Sequence, residues 1–247
     1  MNRKKLLATL LKTLLSILTV LFFVWSYRSG YYQLIFDDPE GFWYLFQQHL
    51  KMVLLSSSLA IALSVPLGIL VTRPKFKKIQ WLIMNTANLG QTIPSLAILA
   101  LAMTWMGIGF KPAVFALFLY SLLPILRNTV AGIDSIKPEL LDAARGMGYK
   151  PYQILFKIEL PNAAFSILAG IRTAVVLNIG TAALAYLVGG GGLGDWIFTG
   201  IMMRDNIYLL SGAVPVTLLA LFADLILRII ESFVISKGVR QSVEADG

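Results

Sequence analysis

An all-α membrane protein with about six transmembrane helices is the fold class the sequence predicts, and three observations predict it. The 247 residues are 57% apolar. Only 14% are charged, against roughly a quarter in soluble globular domains. Apolar runs of about 20 residues, enough to cross a hydrocarbon core of roughly 30 Å, alternate with short charged connectors. The formal charge of +8 sits beside these runs and forms no separate patch, which argues for membrane topology and against nucleic acid. Cys is absent, so disulfides, thiolate metal sites, iron–sulfur clusters and a cysteine nucleophile are excluded.

The first expected span covers about 6 to 27, behind Arg3, Lys4 and Lys5, with Lys12 close enough to that end to snorkel. Its apolar run exceeds a signal-peptide core and lacks a small-x-small cleavage site, so it reads as a retained anchor. Further spans are expected near 50–71, 82–106, 110–127, 163–188 and 209–235. An even number of crossings with a cytoplasmic N-terminus puts 17 Lys and Arg inside and four outside. The positive-inside rule therefore orients the chain with both termini cytoplasmic. Asp37, Asp38, Glu40, Asp195 and Asp205 fall outside, and Trp25, Tyr27, Tyr31, Tyr32, Trp43 and Tyr44 mark the first outer boundary as interfacial anchors.

Between the fourth and fifth spans lies the longest cytoplasmic connection, about 128 to 162, a length that is uncommon without a function. It reads as two short helices opened by Pro138 and Pro151, with Gly146 and Gly148 breaking them apart. Leu140, Ala143, Ala144 and Met147 share one face of the first; Ile154, Leu155 and Ile158 share one face of the second. Basic Lys137, Arg145, Lys150 and Lys157 are matched by Asp134, Glu139, Asp142 and Glu159. A charge-balanced amphipathic pair suits docking into a protein groove rather than onto lipid or nucleic acid.

Asp142, Ala143, Ala144, three residues, Gly148, nine residues, Ile158, one residue, Leu160 and Pro161 resemble the EAA motif of ATP-binding-cassette importer permeases. Asp142 stands where that family has Glu and keeps the charge. The resemblance implies a type I ABC importer (MetI-like) permease fold whose cytoplasmic coupling helix sits in a cleft of an ATPase subunit. Small Ala143 and Ala144 would permit close approach, Gly148 a sharp turn, and Pro161 the end of the second short helix. It further implies a partner set: ABC ATPase subunits, a second permease copy or a related permease, an extracytoplasmic solute-binding protein and the lipid bilayer. No cofactor is expected on this chain, with ATP and Mg at the partner ATPase. The segments Gly90–Ser95, Tyr120–Arg127, Leu168–Thr173 and Gly189–Asp195 resemble the subfamily that imports glycine betaine, carnitine, choline or related compatible solutes. The implied organisation is an anchor helix and outer segment over 1–49, a permease domain over 50–235 with its coupling loop at 134–161, and a cytoplasmic tail over 236–247.

Other features are weighed on their chemistry. Asn88, Gln91, Thr92, Pro94 and Ser95 form a polar, helix-breaking stretch in the third span, suited either to lining a path or to packing helices. Asp224 and Arg228, four apart, read as an intramembrane ion pair. His49 is the only histidine and is expected at the outer edge of the second span as an interfacial residue. Gly189, Gly190, Gly191, Gly192 and Gly194 lack the Gly-Lys-Ser/Thr ending of a phosphate loop and read as a flexible outer bend, with a hinge as a second role. Rival functions are an ABC permease for methionine or another small solute and an ion-coupled secondary transporter or channel. Sparse intramembrane charge speaks against proton coupling. A chain with one His, no Cys and no His-Glu-x-x-His lacks the parts of most intramembrane hydrolases.

Overall fold

The computed structural model describes residues 3–90 and 92–234, and their regular structure is entirely helical. The expected tail at 236–247 lies outside these residues, as does Gln91. Helix α1 (Arg3–Arg28) covers the first expected span and exposes Leu14, Leu15, Ile17, Leu18 and Leu21, a surface suited to lipid. After α2 (Gln33–Asp37), Ser211 donates to the Tyr31 carbonyl at 3.0 Å and ties this end to the last helix.

Helix α3 (Pro39–Val71) begins eleven residues before the expected start of the second span at 50. Pro39 at its first turn and the Asp38 carboxylate, which accepts the Gly41 N–H at 2.9 Å, explain the early start. At 33 residues it is about 50 Å long, more than a bilayer core requires. The longer helix moves His49 off the expected outer edge: it is fully buried and its Nε2 lies 2.9 Å from the Ile179 carbonyl.

The third expected span is not straight. Helices α4 (Lys77–Gly90) and α5 (Ser95–Met106) meet at a bend of 97°. Pro94 has no N–H to continue α4 and biases Ile93 away from helical backbone, so a new helix starts at Ser95. Helix α6 (Phe110–Asp134) follows a turn in which the Gly109 N–H donates to the Val188 carbonyl at 2.8 Å.

Helices α7 (Pro138–Gly146) and α8 (Pro151–Ile154) both start at their prolines, as expected. The second is not a separate helix ended by Pro161. It runs through a π-turn (Leu155–Glu159) directly into α9 (Leu160–Thr181) and a 3-10 segment (Ala182–Val188). The π-turn accommodates Pro161: the Leu160 N–H reaches back to the Leu155 carbonyl, and Asn162 Nδ2 donates to the Ile158 carbonyl at 2.6 Å. Helices α10 (Gly194–Met203) and α11 (Asn206–Val234) complete the chain.

Among the described residues four stretches are long and apolar enough to cross a membrane: Pro39–Val71, Phe110–Asp134, Pro151–Val188 and Asn206–Val234. The bent α4–α5 pair makes a fifth if it is one broken span, and α1 adds the shorter apolar Thr13–Arg28. The centre is α3, α6 and α9, drawn together by small residues. A Cβ on Gly68 would stand 2.6 Å from Thr129 of α6, and one on Gly170 would stand 2.5 Å from Asn128 of α6. Helix α11 packs on α9 and α10 and buries few residues, leaving Leu218, Leu221, Phe222 and Leu225 exposed.

Candidate functional site

At one end of the bundle, the connections 72–76 and 135–150 and the π-turn come together. Helix α7 stands at this end with Asp142, Ala143, Arg145 and Met147 exposed. Its closing turn has two paired bonds: the Tyr149 N–H reaches the Ala144 carbonyl at 3.1 Å and the Gly148 N–H reaches the Arg145 carbonyl at 2.9 Å. That is a Schellman motif, and Gly148 takes its left-handed position at φ +79°. Leu140, Met147, Tyr152 and Phe156 are 41%, 65%, 59% and 65% exposed. Apolar side chains this open at a charged end form an exposed apolar surface.

Ala144 does not share that surface. It is 1% exposed and faces the chain's own interior, so only Ala143 of the pair is outward. The expected face of Leu140, Ala143, Ala144 and Met147 is thereby split. Asp142 accepts from Arg145 at 2.8 Å in an exposed pair, which adds little stability. Of the motif's closing residues, Ile158 and Leu160 are half-buried and Pro161 is exposed. Leu160 packs against Ile133, Ala163 and Ile167, anchoring the loop's end to α6 and α9.

Two contacts between distant segments brace this end of the bundle. Glu159, in the π-turn, is 7% exposed and accepts from both terminal guanidinium nitrogens of Arg73, at 2.6 and 3.1 Å. Gln80 of α4 donates to the Asp134 carboxylate at the end of α6. In the sequence Glu159 counts only toward the charge balance of the loop, against Lys137, Arg145, Lys150 and Lys157. Nothing local marks a partner 86 residues away.

The polar stretch of the third span is dispersed. Asn88, Thr92 and Pro94 are exposed, Ser95 is half-buried, and Gln91 lies outside the described residues. A cavity of about 680 Å³ lies inside the α4–α5 bend against α3 and α6, lined by Leu63, Thr86, Gly90, Trp105 and Leu122 among others. None of Asn88, Thr92, Pro94 and Ser95 lines it. Ser95 instead borders a small crevice with Tyr120 and Thr181.

The glycine-rich run at the opposite end is packed, not loose. A Cβ would stand 2.5 Å from Ile108 at Gly189, 2.8 Å from Ala113 at Gly190, 2.3 Å from Gln48 at Gly191, 2.9 Å from Met52 at Gly192 and 2.0 Å from the Ala183 carbonyl at Gly194. The Gln48 side chain accepts the Gly192 N–H at 3.1 Å. These glycines serve close approach, and the expected flexible bend is a clasp of α3, α6 and the 3-10 segment. Beside it, burial raises the Asp195 carboxyl above its ordinary range.

Two further polar groups lie between helices. Asn178 of α9 donates to Ser56 and Ser57 of α3 at 2.9 and 3.1 Å. The expected pair of Asp224 and Arg228 is present at 2.7 Å, and Arg172 of α9 joins it. Arg172 lies 3.5 Å from Asp224 and 2.8 Å from Glu231, giving two cations and two carboxylates. Arg172 and Glu231 escaped the sequence reading because they come from different helices.

Residues 64–236 match the family model described as the binding-protein-dependent transport system inner membrane component. The choline transport system permease protein OpuBB of Bacillus subtilis is 43% identical over 197 residues, covering 80% of this chain and 90% of that protein. The osmoprotectant import permease protein OsmY of Salmonella typhimurium is 47% identical over 184 residues, covering 74% and 78%. The glycine betaine/carnitine/choline transport system permease protein OpuCB of Bacillus subtilis is 44% identical over 193 residues, covering 78% and 88%. Among solved structures, an inward-facing MetNI methionine ABC transporter matches with a TM-score of 0.71 at 23% identity, covering 80% of this chain and 95% of that one. At that identity the likeness concerns the fold alone.

Proposed function

Because the chain belongs to the family of binding-protein-dependent transport system inner membrane components, we propose that it is the permease of an ATP-driven importer of compatible solutes such as glycine betaine, carnitine or choline. The observation that carries this reading is identity of 43–47% to permeases named for those solutes, over most of the chain. It favours these solutes over methionine, whose transporter shares the fold at 23% identity, and over an ion-coupled carrier. The chain is a multi-pass transport subunit of the inner membrane, and ATP with Mg would be held and hydrolysed by a partner ATPase.

The geometry supports a coupling role for α7. An exposed apolar patch of Leu140, Ala143 and Met147 sits on a short helix braced by the Gly148 turn, with Tyr152 and Phe156 beside it. Burying such side chains in a cleft of an ATPase subunit is favourable, by roughly 25 cal/mol for each Å² of apolar surface removed from water. This end is cytoplasmic in that reading, in keeping with the lysines and arginines of 73–78 and 137–157. The clasped glycine end would then face a solute-binding protein, and a second permease copy or a related permease would complete the pathway. Hinge motion at Gly189–Gly194 would require the clasp to open as a unit.

The test is uptake of labelled glycine betaine, carnitine and choline into vesicles containing this chain, its co-encoded ATPase and binding protein, with and without the ATPase. Uptake that requires the ATPase supports the reading and names the solute. Uptake unchanged without it identifies a secondary carrier.

A further inference from the structure

We propose that the Arg73–Glu159 ion pair is the positioning contact that carries motion of the coupling segment into α3, so that α3 and α9 move as one body. The inference rests on the permease reading above. Helix α7 is joined to α6 through residues 135–137, and to α9 through the Gly148 turn, α8 and the π-turn. A π-turn departs from regular helical winding, so a lateral anchor on it adds stiffness beside the Leu160 packing on α6 and α9. Glu159 is the last residue of that turn.

Its carboxylate meets the Arg73 guanidinium edge-on, through two bonds of 2.6 and 3.1 Å. A two-bond fork resists rotation as well as separation, which a single contact does not. Arg73 is itself fastened to α3: its Nε–H donates to the Ile69 carbonyl at 3.0 Å on the last turn of that helix. Hydrogen bonds thus run without a gap from the π-turn to α3. The negative end of the α3 dipole also favours the guanidinium there.

The same two helices are joined further along. Asn178 of α9 holds Ser56 of α3 at 2.9 Å. Ser56 and Arg73 are about 25 Å apart along the chain direction of α3 at helical rise. The His49 contact to the Ile179 carbonyl lies on the same side as Ser56, so the far end of the two helices already has two polar contacts, and a contact at Arg73 is the one that fixes their relative tilt at the coupling end. Arg73–Glu159 is the one of these anchors that lies next to the coupling segment.

The experiment uses the assembled importer in vesicles and reads ATP hydrolysed per solute imported, a ratio that a change in the amount of folded complex does not move. In Arg73→Gln and Glu159→Gln the ratio is expected to rise at least about tenfold, and in Arg73→Lys, which keeps charge but loses the fork, about threefold or more. The exchange R73E/E159R restores opposite charges but not the bond to the Ile69 carbonyl, so its ratio is expected to stay at least about threefold above that of the unaltered complex. An unchanged ratio in the glutamine variants, or a ratio fully restored in the exchange, overturns the proposal. If the glutamine variants do not assemble, Arg73→Lys decides, and an unchanged ratio there overturns it. Absence of ATPase-dependent uptake by the unaltered complex would instead overturn the permease reading itself.

Discussion

Gly148 offers a substitution whose effect can be worked out in advance. It sits at φ +79°, and a Cβ built on it meets nothing within 4 Å. Gly148→Ala therefore carries no packing penalty inside the chain, only the strain of a left-handed L-residue, roughly 1–2 kcal/mol. That strain falls on the bonds of the Gly148 N–H to the Arg145 carbonyl and the Tyr149 N–H to the Ala144 carbonyl. Opening of the turn should become about 5–30 times more frequent. Amide hydrogen exchange of Gly148 and Tyr149 in the purified chain measures it. Gly148→Asn, which tolerates this conformation better, should recover much of the protection. Gly148→Trp should match Gly148→Ala in the isolated chain, because the space is open, yet lose ATP-driven uptake beyond Gly148→Ala in the assembled importer. Equal exchange in glycine and alanine chains would refute the turn's role. Equal uptake with alanine and tryptophan would refute docking at this face.

The split between the two alanines gives a second test: Ala143→Asp should leave thermal stability within about 0.5 kcal/mol while reducing binding of the ATPase. Ala144→Asp buries a carboxylate and should destabilise the loop by on the order of 3 kcal/mol, measured as proteolytic opening at 140–150. Gly170→Val must push Asn128 or the Pro124 carbonyl, which would lie 2.5 and 2.9 Å from the new Cβ, and should cost about 1–3 kcal/mol or more in thermal unfolding in detergent. Gly180→Ala, in the same helix but with nothing within 4 Å, should be stabilising by up to about 1 kcal/mol. For the α9–α11 charges, Arg172→Gln and Glu231→Gln should each destabilise, and the double variant should be less unstable than their sum by about 0.5–3 kcal/mol. Additive losses there would show that the 2.8 Å contact is not an energetic pair.

Features that depend on neighbours along the chain were readable before any fold was known. Pro138 and Pro151 opened α7 and α8 because proline suits a first helical turn wherever it occurs. The spacing of Asp142, Ala143, Ala144, Gly148, Ile158, Leu160 and Pro161 carried the resemblance to the EAA motif because that motif is itself a local string. Asp224 and Arg228 were legible as a pair because one helix places positions four apart on one face. The early start of α3 was also signalled, by Asp38 and Pro39, but the apolar run beginning near 50 outweighed that cap in the reading.

What the tertiary structure decided is which surface each residue meets. Ala143 and Ala144 are chemically identical and adjacent, and only packing turns one outward and the other to 1% exposure. The five glycines of 189–194 look like freedom in sequence; the side chains and carbonyls that crowd them come from α3, the turn before α6, α6 and the 3-10 segment. Glu159 had local lysines to pair with, and it was the approach of α3 that delivered Arg73 from 86 positions away. The sequence by itself determined the solvent, the helices and the motif, because hydropathy and caps act over a few residues. Close approach between helices sums many contacts from distant segments, so the burial, the clasp and the Arg73–Glu159 ion pair arose only in the fold.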